Sequence, residues 1–361
     1  MTGMDDHDDP RGLFRRARAL EAEGDHRRAA SVYDRAYGLD PTDAEVAEAR
    51  RTLLDRLAVV EHGLRFRYVP AGTFLMGSDV GDPDESPVHP VRLGGHWMAE
   101  TAVSWSTYCD LMGWEPPPIG FPKEEQGAKM AGFHLHEENK IRLQYCEDAT
   151  TRAVDWHAHA VGQKWRRGGE EVDASELFGT PPREDPRRPY RYDTKPMVAV
   201  SWQSAEALCE RLSTDEVRYR LPSEAEWERA ARGGLVGRRH PWGDAPPTPE
   251  RCDFDRFDAF SILPMRALPP NGYGLYAMTG SVWEWTSDRY DAQGYPADAP
   301  PPPADGDRVL RGGSWADCAE VVTVSFRMSR ASGDWRTGRW GDHLAPNIGF
   351  RLCREEITPA G

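Results

Sequence analysis

Lysine is nearly missing from this chain: five residues (Lys123, Lys129, Lys140, Lys164, Lys195) among 45 basic side chains in 361 positions. The arginine excess reads as the coding bias of a GC-rich bacterial genome. Basic residues are also outnumbered, 45 against 59 acidic, for a net charge of −14. That balance excludes a nucleic-acid scaffold and a membrane-surface binder, both of which need a cationic face. No apolar run approaches the eighteen residues of a membrane span. Met1 to Pro10 is acidic and polar, without the pattern of a secretory signal. Six cysteines form no CxxC pair, which excludes a zinc ribbon and points to a reduced, cytoplasmic protein. No glycine-rich phosphate loop follows a strand, and no nucleophile elbow surrounds a serine.

Large aromatics and turn formers are present instead: 13 Trp, 34 Gly and 30 Pro. They predict a loop-rich domain pinned by buried rings. Residues 1–10 are expected to be disordered. From 11 to 62 apolar residues recur at helical spacing (Leu13, Ala17, Leu20; Ala29, Tyr33, Ala36; Val46, Leu53, Leu57), broken at Gly24 and at Asp40-Pro41. This is one tetratricopeptide-like unit plus a helix. A single repeat cannot bury its own apolar face, so it must pack on the chain, dimerise or dock a protein partner. Short strands and long polar loops fill 63–356, with a Pro-rich, charged insertion at 116–196. Ser223 and Glu226 form a capping box for a helix running to Gly233-Gly234. Trp283, Trp285 and Trp315 read as core anchors.

Two HxH pairs, His134/His136 and His157/His159, lie in the insertion. In a strand such pairs face one side, so together they could hold non-haem iron or zinc; solvated histidines in a charged loop are the alternative.

Several islands occur in a fixed order: Val69 to Ser78, Pro196 to Trp202, Arg220 to Glu228, Asn271 to Tyr276, Gly280 to Trp285, Arg311 to Trp315 and Asn347 to Arg351. From Phe66 to Arg354 the chain resembles the formylglycine-generating enzymes, or sulfatase-modifying factors, whose domain is shared with ergothioneine-type sulfoxide synthases. The resemblance implies an α+β, C-type-lectin-like fold with little regular secondary structure. It implies copper chemistry on a substrate cysteine, performed by two thiolates just after the Arg-Gly-Gly-Ser-aromatic turn. Soft thiolates suit monovalent copper.

Here Cys318 follows that turn one residue late, and Val322 or Thr323 stands where the second thiol belongs. Cys318 could be a redox thiol, a soft metal ligand or an inert cysteine. The resemblance makes Ser314 its companion in the site, with a turn hydroxyl as the plain alternative. It places Trp315, Arg327 and Arg330 along a substrate groove; the arginines could equally pair with the acidic excess. It implies structural calcium held by Asp253, Asp258 and the carbonyls of Phe254 and Phe260, and a second calcium near Ser281 and Glu284. It pairs Cys209 with Cys353 as a disulfide that stays reduced in the cytoplasm.

The expected function is a family oxidoreductase with an altered copper or iron site, acting on a peptide or small thiol. The alternatives are a catalytically silent binding module, in a scaffold, immunity or defence role, and formylglycine generation itself.

Overall fold

A computed structural model describes residues 9–115, 120–122, 135, 137–142, 166–167, 170–171, 194–256, 262–295, 305–332 and 345–357. The chain opens with three helices: α1 (Pro10–Ala22), α2 (His26–Leu39) and α3 (Ala44–Arg56). Each begins at an aspartate whose side chain accepts a backbone N–H of the first turn: Asp9, Asp25 and Asp43. Such caps satisfy donors the helix cannot. Helix therefore begins within the stretch expected to be disordered, because Asp9 caps it and Pro10 presets its first turn. Gly24, at φ +82°, separates α1 from α2.

The faces predicted by spacing are the faces buried: Leu13, Ala17 and Leu20 on α1, Ala29, Tyr33 and Ala36 on α2, Val46 and Leu53 on α3. Of the three ways to cover them, the chain uses the first and packs them into the main core. Asp34 of α2 ties this joint. It accepts from Arg50 (2.7 Å), from Arg229 (3.3 Å) and from the Tyr273 hydroxyl (2.9 Å). Arg50 also donates to the carbonyls of Gly272 (2.7 Å) and Gly233 (3.0 Å).

Beyond them come β1 (Val59–Glu61), β2 (Leu64–Val69), β3 (Gly72–Met76), β4 (His89–Leu93), β5 (His96–Ala99) and α4 (Trp105–Met112). The insertion contributes the paired dipeptides β6 (Arg166–Arg167) and β7 (Glu170–Glu171), and a helical stretch at 137–142. Within it Arg142 is buried and donates to the carbonyls of Val198 and Ala199. Then follow α5 (Trp202–Leu212), β8 (Val217–Arg220), α6 (Glu224–Arg232), β9 (Trp283–Arg289), β10 (Arg308–Arg311), β11 (Arg327–Arg330), β12 (Ile348–Gly349) and β13 (Cys353–Glu356).

Five strands form one sheet in the order β1-β2-β5-β13-β8, four form another in the order β11-β10-β9-β12, and among the described residues β3 pairs only with β4. β13, the last strand, pairs with β5 and so lies one strand away from β2 in the same sheet. The elements are short, and the core between them is filled by rings: Trp105, Trp227, Trp283, Trp285 and Trp315 are all buried. α6 carries the predicted capping box, Ser223 Oγ accepting from Glu226 N–H (3.2 Å) and Glu226 accepting from Ser223 N–H (2.9 Å). It stops at Gly233, φ +60°.

Candidate functional site: the Arg311–Trp315 turn and Cys318

The turn leaves β10 and is locked from below. Arg311 has no exposed surface; its guanidinium meets Glu228 (2.5 Å) and donates to the carbonyls of Val324 (2.8 Å) and Phe326 (3.0 Å). Gly312 and Gly313 follow at φ +103° and +71°, a region that L side chains avoid. Ser314 is fully buried; its hydroxyl donates to Asp317 (2.5 Å) and accepts from Asn347 Nδ2 (3.0 Å). Ser314 thus serves as the turn hydroxyl. Trp315 is buried, its backbone N–H given to the Ser281 carbonyl (2.9 Å) and its carbonyl taken by Arg256 N–H (2.8 Å). The ring is a core anchor rather than a groove wall.

Cys318 emerges from this frame exposed to solvent. Its thiol hydrogen-bonds the Glu320 carboxylate and thereby lowers the Glu320 pKa. The second position carries no thiol: Val322 is fully buried and Thr323 nearly so. Val322 Cγ1 sits 2.8 Å from the point a Cβ on Gly313 would occupy. The Val322 carbonyl is a partner of His240 Nδ1 at 3.0 Å. Burial lowers the His240 pKa, so that ring stays neutral near pH 7.

Monovalent copper in linear coordination needs two soft donors, and this turn supplies one. The other described thiols, Cys109, Cys209, Cys252 and Cys353, are all buried. Burial pushes Cys252 up to about 12 and Cys353 well above the usual thiol range. Among the described residues no three His, Cys, Asp or Glu side chains are grouped to hold a metal ion. The family's copper does not fit the described residues of this turn. Cys146 lies outside them.

The remaining candidates are placed as follows. Arg327 pairs with Glu224 (2.6 and 3.1 Å) and donates to the carbonyls of Asp84 (2.7 Å) and Asp291 (3.0 Å). It is buried, so the acidic-pairing alternative describes it and the groove does not. Arg330 is half-buried at the end of β11 and donates to Ser329 O (3.2 Å). Asp253 is buried; Leu263 N–H (2.9 Å) and Arg256 (3.4 Å) share its carboxylate, and its carbonyl accepts from Ser281 N–H (2.8 Å). Phe254 is half-buried beside it. Glu284 is not available to calcium. Arg351 grips both its oxygens (2.6 and 2.7 Å) and the Trp227 indole donates to it as well (2.7 Å). Ser281 is buried at φ +64°, its carbonyl already taken by Trp315. Cys209 on α5 and Cys353 on β13 are both free thiols. Asp258, Phe260 and the four histidines of the insertion (His134, His136, His157, His159) lie outside the described residues.

Sequence reasoning assigned no role to Asp317, Asn347, Glu228 or Arg351. A signal was present: two islands each place one charge among aromatics, Glu284 in Trp-Glu-Trp and Arg351 after Gly-Phe, with opposite signs. Buried charges come in pairs.

A cavity of about 520 Å³ opens next to the loop after the turn. Glu320, Thr323 and Phe326 line one side, the Gly77 to Glu85 stretch another, and Arg238 and Arg239 stand at its edge. No helix among the described residues is long and apolar enough to cross a membrane.

Comparison with known proteins agrees with the resemblance. A sulfatase-modifying factor enzyme 1-like domain matches residues 61–356. The formylglycine-generating enzyme of Streptomyces coelicolor is 31% identical over 318 residues, covering 81% of this chain and 90% of its own. A mouse protein named inactive C-alpha-formylglycine-generating enzyme 2 is 38% identical over 309 residues, covering 81% and 86%. Among solved structures, PvdO from Pseudomonas aeruginosa covers 82% of this chain and 97% of its own, with a TM-score of 0.51 at 21% identity. Treponema denticola variable protein 1 covers the same shares at 0.50 and 20%. Both show the fold, and the chain belongs to the formylglycine-generating-enzyme (sulfatase-modifying factor) family.

Proposed function

We propose that this family member is a ligand- or protein-binding module that has given up two-thiolate copper chemistry. One observation carries the reading: Val322 and Thr323, which stand where the resemblance puts the second thiolate, are both buried and neither is a thiol. The buried serine and the ion-paired Arg311 below it support a structural role for the turn. The likeness to a relative named inactive supports it too. Rigid folds of this kind tolerate loop change because the scaffold holds the loops. The test is a sulfatase-motif peptide incubated with the protein, copper and oxygen. No aldehyde product is expected; aldehyde at a rate that Cys318→Ala abolishes contradicts the reading.

A second reading is favoured by the exposure of Cys318: a single-thiol redox reaction on a peptide or small thiol. Cys318 attacking the disulfide form of a small thiol, with one half released as thiol and the other trapped as a mixed disulfide that a reductant turns over, supports that reading against the first.

A further inference from the structure

A groove of about 1000 Å³ runs between the helical segment and the domain, and no residue of the Arg311–Trp315 turn lines it. One wall is β3 with the residue before it, Ala71 to Leu75. The other is the end of α2 with Leu39 and the loop after α6 with Val236. Leu39, Leu75 and Val236 are 56%, 45% and 58% exposed, unusual for large apolar side chains gathered at one place.

Among the described residues, β3 has a strand neighbour on one side only. An edge strand presents a row of backbone groups that another strand can pair with. Which groups these are follows from β4. Pro90 stands opposite Leu75 in the register and has no N–H to give. That suits a non-hydrogen-bonded pair, and antiparallel pairs alternate. Thr73 and Leu75 then turn their N–H and C=O groups away from β4, toward the open edge. On β4 itself Pro90 blunts the outer edge, a common protection. β3 carries no such protection.

We propose that this groove captures an extended peptide with alternating apolar and acidic side chains, which adds to β3 as a third strand. The open edge selects extended backbone, and the apolar walls take every second side chain. Charge decides the rest. In a chain of net charge −14, the groove's rim carries exposed Arg92, which makes no ion pair among the described residues. In the adjoining cavity, which shares Leu75 with the groove, Arg238 is paired with Asp244, so the attraction for acidic side chains rests on Arg92. This inference deepens the binding-module reading. Its test uses no metal, so copper chemistry at Cys318 would sink that reading and leave this one standing.

The probe is an end-capped eight-residue peptide alternating valine and glutamate, titrated into the full chain by fluorescence anisotropy. Its valine–lysine counterpart and an N-methylated version serve as controls. Micromolar binding is expected for the first. Affinity should fall at least tenfold for both controls, in Arg92→Glu and in Leu75→Pro, and amide exchange at Thr73 and Leu75 should slow on binding. The N-methylated control decides the matter should Leu75→Pro fail to fold. Equal binding of the acidic and basic peptides, no binding at millimolar peptide, or unchanged exchange along β3 overturns the proposal. So does a dimer that Leu75→Pro dissociates, which would make a second copy the occupant. A tenfold affinity gain on removing residues 1–8 would make the chain's own start the occupant, and overturns it too.

Discussion

Val322 presses on Gly313: its Cγ1 stands 2.8 Å from where a Cβ would be. One of the two residues standing where the second thiol belongs therefore also props the turn that the first thiol follows. Adding a methyl group at Gly313 meets both this contact and the positive φ of 71°. Gly313→Ala should destabilise the chain by about 1–3 kcal/mol, read by urea unfolding. A change within experimental error would show that the turn is not under this constraint.

Asp34 is the tie between helical segment and domain. Asp34→Asn leaves Arg50 and Arg229, both buried, without their countercharge. Breaking a buried pair in this way costs about 3–5 kcal/mol. Thermal unfolding should shift down sharply, and limited proteolysis should cut first within residues 10–56. Arg11→Ala, which removes an exposed partner of Glu45, is the control and should have no measurable effect. Equal behaviour of the two variants would contradict the tie.

Burial alone would raise the Glu226 carboxyl, but the Arg220 guanidinium (2.6 and 2.7 Å) overrides it and holds the group at about 2. An unfolded glutamate titrates near 4.3. The pair's stabilisation is complete above about pH 5 and is shed as pH falls through 4 toward 2, on the order of 3 kcal/mol in all. Glu226→Gln keeps the capping geometry and should flatten the acid limb of stability against pH. An unchanged acid limb would assign the loss to other carboxylates.

Among the described cysteines, Cys318 alone is exposed. Iodoacetamide at pH 8 should label it within minutes while Cys109, Cys209, Cys252 and Cys353 resist until the chain unfolds. Peptide mapping reads the order. Early labelling of Cys209 or Cys353 would show that the α5–β13 packing opens readily.

Local chemistry was legible in the sequence and distant pairing was not. The capping box at Ser223 and Glu226, the break at Gly24 and the apolar faces of α1 to α3 depend on neighbours a few residues apart, and spacing reports them. Glu284 is different. It read as a calcium ligand because its partner, Arg351, stands 67 positions away. Arg327 read as a groove residue for the same reason, its carboxylate partner Glu224 lying 103 positions earlier. The folded chain decides whether a charge is spare, and a single sequence does not print that pairing. The missing thiol at Val322 or Thr323 was visible in the sequence; that both are buried, with Val322 packed on the turn, was not.

Copper affinity tests the central claim most directly. Anaerobic titration of the reduced chain with a buffered copper(I) probe should leave Cys318 without a tightly held, stoichiometric ion, while Val322→Cys supplies the second donor and should gain one. One copper per native chain, retained against the competing probe and lost in Cys318→Ala, would contradict the account.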